Sequence, residues 1–267
     1  MEFFPSRTVM VSIGPLTVTW YAFLILLGAC LAYGISKKRM DKRGYPDFPF
    51  SDFFINVLLL GIIGARIWYC IFTYPEYYAN DPLGVFKIYE GGLAIQGGVI
   101  VVLIYSIYFM KKHQVPFLVA GDAIMPTVLI AQAIGRWGNF VNQEAYGQII
   151  TEAKINAYHL PSFIKNGMYI NGYYRQPTFL YESVLNIIGF LLIVFVVSRI
   201  FKKEGCQFYA YFIWYGITRF IVETYRSDSL MLGSIKMAQL TSVVFIVLGI
   251  IGMITIYYKD RKDQQNV

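Results

Sequence analysis

The chain has 267 residues, of which 57% are apolar, 18% aromatic and 15% charged, and its formal net charge is +7 at pH 7. So apolar a composition excludes an ordinary soluble domain and predicts a membrane protein with several spans. The basic residues stand beside apolar segments, so they predict membrane orientation and contact with anionic lipid head groups, and no nucleic-acid partner.

Seven segments are long and apolar enough to cross a bilayer, which requires about twenty residues. In chain order they cover residues 17–36, 52–73, 93–110, 117–135, 178–198, 206–222 and 237–258. The predicted fold is an all-α polytopic membrane protein with about seven transmembrane helices, forming a single membrane domain over residues 1–267.

The distribution of Lys and Arg predicts the orientation. The loops after the first, third, fifth and seventh segments hold 13 of these residues, whereas the N-terminus and the other loops hold eight over a longer stretch. By the positive-inside rule, the N-terminus is predicted to lie outside and the C-terminus in the cytoplasm. Residues 148–176 are polar, aromatic and too long for a simple connector, so we expect a small extracytoplasmic cap there.

With this orientation, the polar side chains that are unfavourable within a bilayer lie at one predicted depth, near its outer surface. Six segments contribute them: Tyr21, Arg66, Gln96, Arg136, Asn139, Asn142, Glu144, Tyr181, Glu182, Arg219, Glu223 and Arg226. Charged groups at membrane depth are expensive unless they meet a partner or a substrate, so these residues mark a functional site. A transporter would keep such groups near the midplane, whereas the outer boundary favours a reaction on a lipid head group.

The polar cluster at residues 135–147 is predicted to follow the outer end of the fourth helix. There Arg136 offers a planar two-donor fork and Asn139 an amide, a combination suited to phosphate. Arg219, Glu223 and Arg226 share one helical stripe, although Arg219 and Glu223 are equally well spaced for an internal ion pair.

Two further features leave alternatives open. Arg66 either extends its charge toward the surface or pairs with a carboxylate. The glycine pairs at 91–92 and 97–98 serve either close helix packing or the approach of a ligand to the backbone.

Near the outer surface, the sequence offers no Ser or Cys nucleophile with a histidine base, because His113 lies on the predicted cytoplasmic side and His159 in the cap. Metal ligands at suitable spacing are also missing from the sequence, so neither a metal nor a cofactor is predicted. What remains is electrostatic stabilisation of a leaving group by arginines and amides.

The sequence from Gly135 to Glu144, followed by Tyr146-Gly147, closely resembles the signature of bacterial prolipoprotein diacylglyceryl transferases. Residues 90–98, 177–182 and 219–223 are similar to other blocks of that family. The resemblance implies a bacterial inner-membrane enzyme with its active site toward the extracytoplasmic side. It would transfer the diacylglyceryl group of phosphatidylglycerol to the lipobox cysteine thiol of a prolipoprotein, forming a thioether and releasing glycerol phosphate.

With that resemblance, the site residues receive predicted roles. Catalytic roles are expected for Tyr21, Arg136, Asn139, Glu144, Arg219 and Glu223. Contacts with phosphatidylglycerol are expected from Arg136, Gln96, Arg66, Asn142, Gly147, Arg226, Tyr181 and Glu182.

Two positions depart from many members of that family. Gln96 stands where they carry His in the glycine segment, and Gln176 where they carry His before a proline. Because glutamine cannot accept a thiol proton at neutral pH, the general base stays open among Glu144, Glu223 and Tyr21. The alternative function is a lipid or solute transporter whose outer polar cluster is a vestibule.

Overall fold

The computed structural model describes residues 2–3, 6–14, 16–73, 82–87, 91–227 and 229–265. Internal contacts divide the chain into two compact units. The large unit comprises Met1–Arg39 with Gly121–Val267, and the small unit is Met40–Ala120. That both belong to one membrane domain stays a prediction.

Helices dominate the described residues. They are α1 (Trp20–Lys42), α2 (Phe50–Thr73), α3 (Ile95–Lys112), α4 (Phe117–Asn142), α5 (Glu152–Ala157), α6 (Ser162–Gly167), α7 (Thr178–Ile200), α8 (Cys206–Tyr225) and α9 (Met237–Gln265). The short strands are β1 (Glu2–Phe3), β2 (Val9–Ile13), β3 (Leu16–Thr19), β4 (Ile149–Ile150), β5 (Tyr169–Ile170), β6 (Tyr173–Arg175), β7 (Met231–Leu232) and β8 (Ile235–Lys236).

In the described part of the chain, six helices are long and apolar enough to cross a membrane: α1, α2, α3, α4, α7 and α9. This confirms a polytopic helical membrane protein. The predicted sixth span, α8, is a helix of 20 residues, but Gln207, Arg219 and Glu223 make it more polar than the others. The seventh crossing and the orientation of both termini stay predictions.

The predicted end of the fourth helix was wrong. α4 continues to Asn142, so Arg136, Asn139 and Asn142 belong to its last two turns instead of following it. These polar residues are compatible with a helix because Arg136 forms an ion pair with a residue of α7.

The all-α prediction also needs correction, because the described residues include three small antiparallel sheets beside the helices. The strands β1, β2 and β3 form the first sheet, and β3 replaces the predicted beginning of the first span at residue 17. Thr17, Val18 and Thr19 are β-branched, which favours a strand. The first helix therefore begins at Trp20.

The core of the large unit lies between α4, α7 and α8. Leu129, Ile193 and Tyr211 form its buried cluster, one residue from each helix. In α7, residues Leu192–Val197 adopt a π-helical turn. α9 packs along α8. Together these helices fix the positions of the polar residues at their ends.

The 148–176 segment folds into a small body of its own. Strands β4, β6 and β5 form its sheet, with Ile149 opposite Arg175. Its buried side chains pack against Phe179 of α7; they are Ile150, Ile155, Ile164, Met168 and Ile170. At its surface, a hydrogen bond to Glu152 raises the pKa of Lys165. The segment thus has the compact form expected of a cap, while its side of the membrane stays a prediction.

In the small unit, α2 and α3 approach each other through glycines. A Cβ at Gly64 would lie 2.7 Å from the carbonyl oxygen of Gly97, and one at Gly98 would lie 2.8 Å from that of Gly61. Of the two alternatives for residues 97–98, the structure favours close helix packing.

Candidate active site

Two arginines from different helices share one buried carboxylate. Arg136 Nε, on α4, lies 2.5 Å from Glu182 Oε2, on α7. Arg219 Nη1, on α8, donates to Glu182 Oε1 at 2.9 Å. The exposed fraction of the side chain is 22% for Arg136, 16% for Arg219 and 9% for Glu182. The two arginine side chains are therefore more exposed than the carboxylate they share.

Arg219 also contacts a second carboxylate, one helical turn further along α8. Its Nη2 lies 2.8 Å from Glu223 Oε2, whose side chain is 2% exposed. The contact is an ion pair without the geometry of an aligned hydrogen bond. The sequence spacing left this pair open, and the structure forms it. The formal charges of Arg136, Arg219, Glu182 and Glu223 sum to zero.

A chain of hydrogen bonds leads from Arg136 to an exposed carboxylate. Arg136 Nη1 donates to Asn139 Oδ1 at 3.2 Å, and Asn139 Nδ2 donates to Glu144 Oε1 at 2.8 Å. Glu144 is exposed. The amide of Asn139 thus orients both the guanidinium of Arg136 and the exposed carboxylate of Glu144.

The backbone around Glu144 is strained. Gln143 and Ala145 have φ values of 53° and 55°, in the left-handed region, which costs a residue with a side chain roughly 1–2 kcal/mol. Thr178 holds this conformation, because its hydroxyl donates to the carbonyl oxygen of Ala145 at 2.7 Å. Strain of this kind is typical of functional sites.

Gly147 lies where three chain segments meet. Its amide donates to the carbonyl of Gln176 at 3.0 Å, and it forms a β-bridge with Arg226, the residue after α8. A Cβ at Gly147 would lie 2.6 Å from Gln176 Cβ and 3.0 Å from the carbonyl oxygen of Tyr225. Only glycine permits this approach without displacing backbone.

The three remaining candidates of the large unit lie close to these elements. Tyr21, in the first turn of α1, packs its ring on Gly138, where a Cβ would be 2.6 Å from Tyr21 Cδ2. Tyr181 packs edge to face with Tyr225, their ring centroids 6.3 Å apart. Asn142 is the half-buried last residue of α4.

Lys236 and Arg7 were missed by sequence reasoning. Lys236 Nζ donates to the carbonyl of Glu223 at 2.6 Å, which places a cation at the C-terminal end of α8. Arg7 donates to the carbonyls of Val141 and Phe140, both at 3.1 Å. It also reaches the carbonyl of Gly167 in the 148–176 segment at 3.5 Å. Both residues bind the ends of helices that carry site residues.

In the small unit, Arg66 is buried, so its charge does not extend to the surface. Its buried guanidinium donates to backbone carbonyls of the loop between α2 and α3, those of Gly84, Val85, Lys87, Gly91 and Gly92. Gln96 is exposed in the first turn of α3. Residue 90, which begins the glycine segment, lies outside the described residues.

Six predicted site residues are thus linked by direct contacts, namely Arg136, Asn139, Glu144, Glu182, Arg219 and Glu223. Across the residues described, no group of three His, Cys, Asp or Glu side chains is placed to hold a metal ion. The cluster offers guanidinium and amide donors for an anion and one accessible carboxylate for a proton.

Comparisons with known proteins agree with this chemistry. Residues 8–255 match the family model described as "Prolipoprotein diacylglyceryl transferase". The chain is 45% identical over 244 residues to a protein of Halalkalibacterium halodurans, an alignment that covers 91% of this chain and 84% of the relative. It is 44% identical over 246 residues to a protein of Clostridium novyi, covering 92% and 94% respectively. Each relative is named phosphatidylglycerol–prolipoprotein diacylglyceryl transferase.

Proposed function

Because the chain belongs to the prolipoprotein diacylglyceryl transferase family, we propose that it transfers the diacylglyceryl group of phosphatidylglycerol to the lipobox cysteine thiol of prolipoproteins. This is the first step of lipoprotein maturation. The names of the relatives favour this enzyme over a transporter.

The reaction forms a C–S bond, breaks a C–O bond and transfers the thiol proton. The cysteine sulfur attacks the glyceryl carbon next to the phosphate, and the C–O bond to the phosphate breaks. Its electron pair leaves on glycerol phosphate, and the thiol proton passes to a base. The site must therefore hold a phosphate, stabilise its growing negative charge and accept a proton.

The assignment of the phosphate-binding residues rests on one observation. Arg136 and Arg219, from different helices, both contact Glu182, so their guanidinium groups lie on the same carboxylate. Guanidinium groups bind phosphate oxygens through paired hydrogen bonds. Arg136 and Arg219 form the phosphate clamp, and Asn139 orients Arg136. A cation close to the incoming thiol also lowers its pKa from about 8.5, which favours the thiolate.

Other residues act at the edges of the clamp. Arg226 and Lys236 add positive charge near the end of α8, and Tyr21, Asn142, Gly147 and Tyr181 shape the adjacent surface. Contacts of Gln96 and Arg66 with the lipid head group stay predictions.

The test is a reconstituted transfer reaction. The purified protein in phosphatidylglycerol vesicles should attach a labelled diacylglyceryl group to a lipobox peptide through a thioether and release glycerol phosphate. A peptide with Ser in place of Cys should remain unmodified. Should the Cys peptide also remain unmodified, the proposed function is wrong.

Glu144 is the base in this proposal. Glu223 is buried in an ion pair with Arg219, whereas Glu144 is exposed and accepts one hydrogen bond from Asn139. Glu144→Gln keeps the shape and loses the proton acceptor, so kcat should fall by roughly 10²–10⁴ with little change in KM for phosphatidylglycerol. Glu152→Gln, at an exposed carboxylate of the cap, should retain wild-type kcat. Near wild-type turnover by Glu144→Gln would assign the base to another group.

The proposed location is the bacterial cell membrane, with the cap and the site on the extracytoplasmic side, and the distribution of Lys and Arg supports this orientation. An impermeant thiol reagent should label Ser162→Cys in intact cells and Lys38→Cys only after permeabilisation, since both positions are exposed. The parent protein provides the background from its own cysteines. The opposite pattern would invert the topology.

A further inference from the structure

Glu182 has a role that a lipid contact does not explain. It is a carboxylate, so it cannot donate a hydrogen bond to a phosphate when ionised and would repel one. Its two oxygens are instead divided between Arg136 and Arg219. Unlike Glu223, which is paired with Arg219, it bridges cations from two helices.

A carboxylate at this position would help in two ways, by reducing the repulsion between the arginines and by easing release of the product. Two guanidinium groups side by side repel each other unless an anion lies between them. The clamp must also bind a phosphodiester with one negative charge and release a phosphate monoester whose charge approaches two. A pair of arginines without a counter-anion would bind the product more tightly than the substrate.

We propose that Glu182 is a built-in counter-anion that positions Arg136 and Arg219 as a paired clamp and weakens their hold on the departing glycerol phosphate. The proposal rests on the proposed function. Glu182 is a positioning residue, because it acts through the two arginines. Glu182 engages Nε of Arg136 and Nη1 of Arg219, and both arginine side chains are more exposed than its own; in the proposal, their other N–H groups bind the phosphate.

Two substitutions separate the effect of the charge of Glu182 from the effect of its side-chain length. Glu182→Gln keeps the length and removes the charge, so glycerol phosphate should inhibit this variant at least about tenfold more strongly than wild type. Release of glycerol phosphate should then limit turnover, giving a burst of thioether product followed by a slow steady state. Glu182→Asp keeps the charge but is one methylene shorter, so kcat should fall while the inhibition constant stays near the wild-type value.

The comparison uses the purified full-length protein in phosphatidylglycerol vesicles, with added glycerol phosphate as the inhibitor. Glu223→Gln removes the same charge from Arg219 alone, and its inhibition constant should shift less than that of Glu182→Gln. Glu152→Gln should match wild type. Unchanged or weaker inhibition of Glu182→Gln overturns the proposal, provided that wild type performs the transfer.

If Glu182→Gln does not fold, Glu182→Asp decides the positioning role. A wild-type kcat in that variant would show that bridging both arginines is unnecessary, and the proposal would fail. Absence of transfer by wild type would instead contradict the proposed function, so the two failures are distinguishable.

Discussion

Arg136→Lys should lose nearly all transfer activity while the protein still folds and inserts. Arg136 uses Nε for Glu182 and Nη1 for Asn139, two directions that a single ammonium group cannot serve in the same geometry. The phosphate would lose the planar fork, and the hydrogen bond by which Asn139 orients the side chain at position 136 would be lost. We expect kcat/KM to fall at least about 100-fold, or about 2.7 kcal/mol of transition-state stabilisation.

The control is Arg199→Lys, at an exposed arginine near the end of α7, which should keep wild-type kcat/KM. The amount of each variant in purified membranes separates lost catalysis from lost folding. Wild-type turnover by Arg136→Lys would contradict the phosphate clamp, because a point charge would then suffice.

Gly147→Ala should damage both activity and stability. The added Cβ would meet Gln176 Cβ at 2.6 Å, and two of its nearest atoms are backbone oxygens, which cannot rotate away. Overpacking typically costs 1–3 kcal/mol. Here the backbone that would have to move belongs to Gln176, to Tyr225 at the end of α8, or to the loop that carries Glu144 and Gly147. We expect a lower Tm in detergent and a loss of most transfer activity.

Gly135→Ala is the matched control for this substitution, because a Cβ at Gly135 meets nothing within 4 Å. It should retain activity and increase the stability of α4 slightly, since alanine favours a helix over glycine. If both variants behaved alike, the steric explanation for Gly147 would be wrong.

The sequence predicts that a helix exists far better than it predicts the residues at which the helix begins and ends. Apolar length alone locates the membrane helices, because a bilayer imposes that length. The extension of α4 to Asn142 was missed, since a hydropathy rule penalises Arg136 without knowing that Glu182 neutralises it. The strands β1 to β3 are too short for an alternating pattern to stand out.

The sequence indicates which polar residues are candidates for the site, but it does not show which of them contact one another. Arg219 and Glu223 are one helical turn apart, so sequence spacing could suggest their ion pair. Glu182 lies 46 residues from Arg136 and 37 from Arg219, and no local pattern connects them. Similarly, nothing in the sequence shows that Arg66 donates hydrogen bonds to the backbone of a neighbouring loop.

The contacts of Arg7 bear on the order in which the protein is assembled. Its partners Phe140 and Val141 follow it by 133 and 134 residues, and Gly167 by 160. At a synthesis rate of 5–20 residues per second, the last partner is made roughly 8–32 s after Arg7. Contacts so distant in sequence form late because they close long loops. The N-terminal segment is therefore made first, but Arg7 can contact the end of α4 only after residue 141 has been made, and the 148–176 segment only after residue 167.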